Sequence, residues 1–302
     1  MNPALLSYFS HLNIAQKGGM KYADLHVHTL ASDGTYTPAQ LVKESIARSL
    51  SAIAIVDHDT IEAIPEAILE AEGTDLEVIS GIELTAQHEG QEIHILGYFL
   101  DYRDKALLKK LKLVRKNRIE RAYKIIKNLG ELGVKLDAET VFKISGKATV
   151  GRMHIARALL KDGKVSSIPE AFRKYIGDKS PAYVLGFDLR VQDAIKMIKD
   201  AAGLAVLAHP YLLRNEALIA EFANYGLDGI EAYYPEHSQS MVNFYLNLAK
   251  ELKLLVTGGT DFHGSVKPDI KLGMLKIPFE LVEKLRQAKN SYFPLSVQRE
   301  IT

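Results

Sequence analysis

Along most of this 302-residue chain, short apolar runs alternate with helical stretches. That alternation constrains the fold more than any other feature. Runs at 22–27, 52–56, 78–84, 93–99, 204–208, 229–234 and 254–258 have strand length. Stretches at 38–49, 60–72, 189–202, 215–225 and 238–252 carry helical periodicity between them. Strands interleaved with helices predict βα units, and hence a parallel sheet or barrel. The segment 101–183 breaks the rhythm, being almost wholly helical and polar. Within it Leu107, Leu111, Val114, Arg118, Ala122, Ile125 and Leu129 recur at steps of three and four, as on an amphipathic helix. We read 101–183 as a helical insertion between two parts of one domain, 20–100 and 184–302, with an N-terminal extension at 1–19.

Composition removes several chemistries. There is no Cys, so disulfides, Cys nucleophiles and thiolate metal sites are excluded, and a reducing, cytoplasmic setting is expected. Lys plus Arg is 38 and Asp plus Glu 37, a net charge of +1 that argues against a stable duplex-DNA binder. No apolar run reaches the length that crosses a membrane. One local excess stands out: residues 103–128 hold eleven Lys or Arg against Asp104 and Glu120, a balance of +9. Two readings stand for it, steering of anionic substrates and a plain solvated helix face.

The chemistry is concentrated in the histidines, of which there are ten. His26 and His28 stand two apart at the end of the first strand, so both imidazoles point to one face. Asp261 and His263 repeat the device after the last core strand, behind Gly258 and Gly259. His58, Glu83 and His209 end the second, third and fifth strands; His94 lies in the fourth and Asp33 follows the first. In a βα barrel such strand ends converge on one mouth. Singly, each has a bland reading as a core histidine or a turn residue. Jointly, six imidazoles and three carboxylates without a thiolate point to manganese, iron or zinc, and to more than one ion. Asp24, Asp57 and Asp59 flank these positions, either orienting imidazoles or capping strand ends.

The stretches DLHVHTLASDG (24–34), IVDHDT (55–60), GIELT (81–85), EIHILGYFLD (92–101), AHP (208–210), GIEAYYPEHS (229–238) and GGTDFHG (258–264) carry a resemblance. In that order they resemble the PHP (polymerase and histidinol phosphatase) superfamily of metal-dependent phosphoesterases. EIHILGY and GRMHIARALLKDG (151–163) are similar to its stand-alone branch of 3′,5′-nucleoside bisphosphate phosphatases and 5′-to-3′ exonucleases acting on short RNA. His88 and Met153 depart from that branch, where an aromatic and a Pro are usual. The resemblance implies a distorted (β/α)7 TIM-like barrel with three divalent ions. Mn2+ is the first expectation, with Zn2+, Fe2+ and Mg2+ as alternatives. By resemblance one ion takes His26, His28, Glu83 and Asp261; a second takes Glu83, His94 and His209; a third takes Asp33, His58 and His263. Three divalent ions against three carboxylates leave a charge of about +3, which suits phosphate esters. The expected reaction is attack on phosphorus by a metal-bridging hydroxide, with a small nucleotide or short single-stranded RNA as substrate.

Outside that set, Arg152 is read as a contact to the substrate's second phosphate, with His154 and Lys179 as further substrate contacts. Glu83, Asp261 and His237 are assigned to catalysis; His237 would touch phosphate or protonate the leaving oxygen. Tyr233 and Tyr234 are candidates to stack a base. Solvated-helix, loop and packing roles are the bland readings of these residues. His11 and His88 are read as surface residues. Alternative functions are a histidinol-phosphate phosphatase, a metal-dependent amidohydrolase, and a non-catalytic metal-binding accessory domain.

Overall fold

The computed structural model describes residues 20–186 and 188–292, and the 1–19 extension lies outside them. All seven apolar runs form strands: β1 (Tyr22–Val27), β2 (Ala52–Ile55), β3 (Glu77–His88), β4 (Gln91–Tyr98), β5 (Leu204–Leu207), β6 (Gly229–Tyr233) and β7 (Leu255–Gly258). A two-residue eighth, β8 (Ile277–Pro278), pairs antiparallel with β1. The helices are α1 (Pro38–Ala47), α2 (Ile64–Ala71), α3 (Lys105–Glu131), α4 (Ala138–Ser145), α5 (Arg152–Lys161), α6 (Ile168–Ala171), α7 (Val191–Asp200), α8 (Leu218–Asn224), α9 (Gln239–Leu252) and α10 (Phe279–Tyr292). Local chemistry sets several starts. Thr37 and Gln40 form a capping box at α1 with Pro38 in its first turn, and Ser238 caps α9.

The strands lie in the order β7-β6-β5-β4-β3-β2-β1-β8. Most pairs are parallel, as the alternation predicts, but β4 runs antiparallel to both β3 and β5. The cause is local. Only Glu89 and Gly90 join β3 to β4, with φ of 46° and 73°, and a two-residue turn with both φ positive makes a hairpin, not a crossover. Reversal brings the first half of β4 to the mouth, where the other strands end.

The ring nearly closes between β7 and β1. Phe262 bridges Val27 in parallel fashion: His28 N donates to Phe262 O at 2.9 Å and Phe262 N to His26 O at 3.3 Å. Val27 and Phe262 enter one apolar cluster on one side of this seam. Their neighbours His26, His28, Asp261 and His263 therefore share the opposite side. Gly259 makes the approach possible, because a Cβ there would stand 2.3 Å from the backbone nitrogen of His26.

The insertion has its own apolar cluster, built on Ile125, Leu129, Val141, Ile155, Leu159 and Ile176. Helix α3 belongs to both bodies: Leu107 and Leu111 pack on the barrel's cluster, and Ala122 to Leu129 on the insertion's. Among the described residues no helix is long and apolar enough to cross a membrane. Gly259→Ala is expected to lower stability by about 3 kcal/mol, the upper end of overpacking effects; thermal melting measures it.

Candidate metal centre

Nine side chains meet at the barrel mouth. Glu83, about 1% exposed, is the hub: its Oε2 lies 3.3, 3.2 and 3.3 Å from ring nitrogens of His26, His28 and His58. Its Oε1 lies 2.8 Å from His94 Nδ1 and 3.1 Å from His209 Nε2. Asp261 Oδ1 sits 3.4 Å from His26 and 3.1 Å from His28, and Asp33 Oδ1 sits 3.2 Å from His263 Nε2. Register and backbone strain aim these groups. His58 bridges Glu83 across adjacent strands, and Asp261 and His209 take φ of 52° and 27°.

Three groups have donor atoms close enough to share a cation: His28, Asp33, His58 and His263; His26, His28, Glu83 and Asp261; and His58, Glu83 and His94. The second matches the first ion's set carried over by resemblance. The first adds His28 to Asp33, His58 and His263. The third has His58 in place of His209, although His209 Nε2 is 3.2 Å from His94 Nδ1. Ligand atoms about 2.1 Å from one ion stand ~3 Å apart, as these do. His28 Nε2, Asp33 Oδ1 and His58 Nδ1 are also buried without a hydrogen bond, a state that ligation relieves. The donor set and its spacing fit divalent metal ions.

Electrostatics agrees. Burial opposes protonation of His28 and His94, but Asp261, Glu83 and Glu92 beside them outweigh it, raising His28 to about 9 and His94 to about 10. Burial also opposes ionisation of Glu83, yet His58, His94 and His26 hold it well below the usual carboxylate range. Without metal, protons on His28 and His94 offset part of the carboxylate charge.

The sequence reading passed over Glu231, Glu92 and Lys267 as groups that orient the cluster, and it took Tyr234, which is buried and bonded to Asp261, as a base-stacking candidate. Glu231, in the middle of β6, accepts from His26 Nδ1 at 2.9 Å and from His209 N at 2.8 Å. Glu92 lies 3.4 Å from His94 Nε2. Tyr234 Oη donates to Asp261 Oδ2 at 2.8 Å, and Lys267 Nζ lies 2.5 Å from the same oxygen. An acid inside an apolar strand run was the available signal for Glu231; Lys267 left none. The three flanking aspartates hold backbone amides, hydroxyls and Arg118 instead of imidazoles. Asp24 accepts from Thr260 and Gly273 N, Asp57 from Thr29 and Ser32, and Asp59 from Thr85 N and Arg118.

Arg152 reaches the rim, donating to Glu92 and Asp178. His154 does not: its Nδ1 accepts from Gly151 N and caps α5, and burial pushes its pKa down to about 4. Lys179 is exposed in a turn at φ 69°. His237 donates Nδ1–H to Ala232 O and packs among Tyr211, Tyr234 and Tyr245, approaching the cluster through Tyr234. Tyr233 is a buried core residue. His88 is half-buried against Phe222, not a surface residue, while His11 lies outside the described residues. On the basic helix Lys105, Lys109, Lys110, Lys112, Lys116, Lys124 and Lys127 are solvated. Arg115, Arg118 and Arg121, however, turn to the barrel and pair with Glu62, Asp59 and Glu92.

This fold and centre define a metal-dependent phosphoesterase barrel. Residues 24–178 match the PHP domain family, and the chain belongs to it. It is 34% identical over 248 residues to a 5′-3′ exoribonuclease of Haemophilus influenzae, spanning 80% of this chain and 90% of that one. It is 31% identical over 250 residues to a 3′,5′-nucleoside bisphosphate phosphatase of Chromobacterium violaceum, spanning 81% and 88%. A metal-dependent phosphoesterase structure from Bifidobacterium adolescentis superposes with a TM-score of 0.80 at 30% identity, over 88% of this chain and 95% of that one.

Two outcomes are expected. His28 and His94 carry protons at pH 7 in the metal-free protein, and a ligand imidazole must be neutral. Metal loading at pH 7 should therefore release protons, and affinity should rise with pH towards 9; calorimetry in buffers of different ionisation enthalpy measures both. Glu231→Gln should weaken metal affinity by about 10–100-fold, read by metal titration.

Proposed function

We propose that this phosphoric ester hydrolase removes phosphate from 3′,5′-nucleoside bisphosphates and trims short RNA from its 5′ end. The observation that carries the reading is a cavity of about 320 Å3 in which His94 and His209 of the metal centre share a wall with Arg152 of the insertion. A substrate with one phosphate at the centre and another at Arg152 fits that arrangement. The relatives bearing exoribonuclease and bisphosphate phosphatase names support it.

On this reading three ions, manganese first, would be held by His26, His28, Glu83 and Asp261; by Glu83, His94 and His209; and by Asp33, His58 and His263. Bound divalent ions supply Lewis acidity toward phosphoryl oxygens and acidify water toward neutral pH. The chain does the rest. Glu83 would offer its two oxygens to the ions, and Asp261 would offer Oδ1 while Tyr234 and Lys267 hold Oδ2. Glu231 fixes His26 with Nε2 facing inward. Arg152 takes the second phosphate with its planar fork, which suits a bidentate anion. The segment 101–183 serves as a substrate cap that limits water around the reacting phosphate. A reducing, cytoplasmic setting is consistent with the absence of Cys.

Phosphate release by the manganese-loaded protein tests this, comparing 3′-phosphoadenosine 5′-phosphate, a 5′-phosphorylated short RNA and histidinol phosphate. The bisphosphate or the RNA should be preferred. Arg152→Ala should cut kcat/KM for the bisphosphate by about 10–100-fold, the loss of one or two charge-assisted hydrogen bonds. Preference for histidinol phosphate would overturn the substrate assignment.

A further inference from the structure

Arg152 is gripped on two edges of its guanidinium, and the grips differ in kind. Nη2 donates to Glu92 Oε1 at 2.7 Å. That carboxylate is 7% exposed and also takes Arg121 Nη2 at 2.9 Å. Nη1 donates to Asp178 Oδ1 at 2.7 Å, and Asp178 is 42% exposed. Phe172 and Tyr183 lie 5.8 and 5.3 Å from the guanidinium carbon and hold its plane. The Glu92 edge is thus fixed by a buried pair and the Nη1 edge by a solvent-exposed one, and Arg152, Glu92 and Asp178 all line the cavity that His94 and His209 also line.

A tight turn holds Asp178 against that edge. Gly177 N donates to Phe172 O at 2.8 Å and Ser180 N to Gly177 O at 2.9 Å. A Cβ on Gly177 would stand 2.6 Å from Phe172 O, so the turn requires glycine at this step. The local charges cancel: Arg121 and Arg152 against Glu92 and Asp178. An incoming phosphate competes with the two carboxylates at Arg152 for the guanidinium's charge and donors. An exposed pair is weak, whereas breaking a buried pair leaves an uncompensated charge. Asp178 is therefore the carboxylate that yields.

We propose that Asp178 occupies the anion seat of Arg152 as an internal stand-in for a substrate's second phosphate, and so sets the protein's affinity for bisphosphates. A monoester held only at the metal centre gains nothing from displacing it; a bisphosphate exchanges a single carboxylate for a dianion with three acceptor oxygens. The inference rests on the reading that Arg152 receives that second phosphate.

The test is calorimetric binding of 3′-phosphoadenosine 5′-phosphate to the metal-free protein, where no turnover occurs, with KM on the manganese-loaded protein beside it. Asp178→Asn should bind the bisphosphate about two- to fivefold tighter, the scale of an exposed ion pair released. KM for the bisphosphate should fall by a similar factor, while kcat/KM for a monoester stays level. Unchanged or weaker binding in Asp178→Asn, when Arg152→Ala weakens it, would overturn the stand-in role alone. An equal gain for the monoester would also overturn it, because that is the mark of a general charge effect. No loss in Arg152→Ala would remove the underlying reading together with the proposal.

Discussion

Everything at the mouth of this barrel follows from burying Glu83. Both of its oxygens lie beneath the surface, and five imidazoles surround them. A buried carboxylate without compensation is costly, so the neighbours must carry positive charge as protons or as metal. The strands, the hairpin and the closing seam together place five ring nitrogens within 3.3 Å of one side chain. The same requirement explains why the two remaining carboxylates, Asp33 and Asp261, also sit among imidazoles.

Around that hub the polar scaffold divides its work. Asp24 and Asp57 accept backbone and hydroxyl donors and fix the loops that follow β7 and β1. Glu231, Glu92, Tyr234 and Lys267 act on the ligands themselves, through the second nitrogen of an imidazole or the second oxygen of a carboxylate. Ligands held this way have one orientation and one donor atom to offer. The strained φ of His209 and Asp261 is tolerated because these bonds hold the residues in place.

The insertion is joined to the barrel by charge as well as by apolar packing. Arg118 pairs with Asp59, while Arg121 and Arg152, from two different helices, converge on Glu92, which also touches His94. One buried carboxylate of β4 thus links His94 to two helices of the insertion.

The sequence by itself determined the seven strands, the inserted helices and the nine side chains that meet, because period and spacing are local properties. The two-apart pairs His26/His28 and Asp261/His263 fix which face each side chain takes, wherever the strands end up. Only the tertiary structure decided which elements become neighbours. The antiparallel run of β4 turns on two positive φ angles, and the pairing of Val27 with Phe262 joins residues 235 positions apart. The roles of Glu231, Glu92 and Lys267 were hidden for the same reason: an orienting hydrogen bond is a property of two distant residues at once. His154 and the flanking aspartates show the converse. Their residue types suited the chemistry, but nearby backbone amides, hydroxyls and Arg118 take their hydrogen bonds.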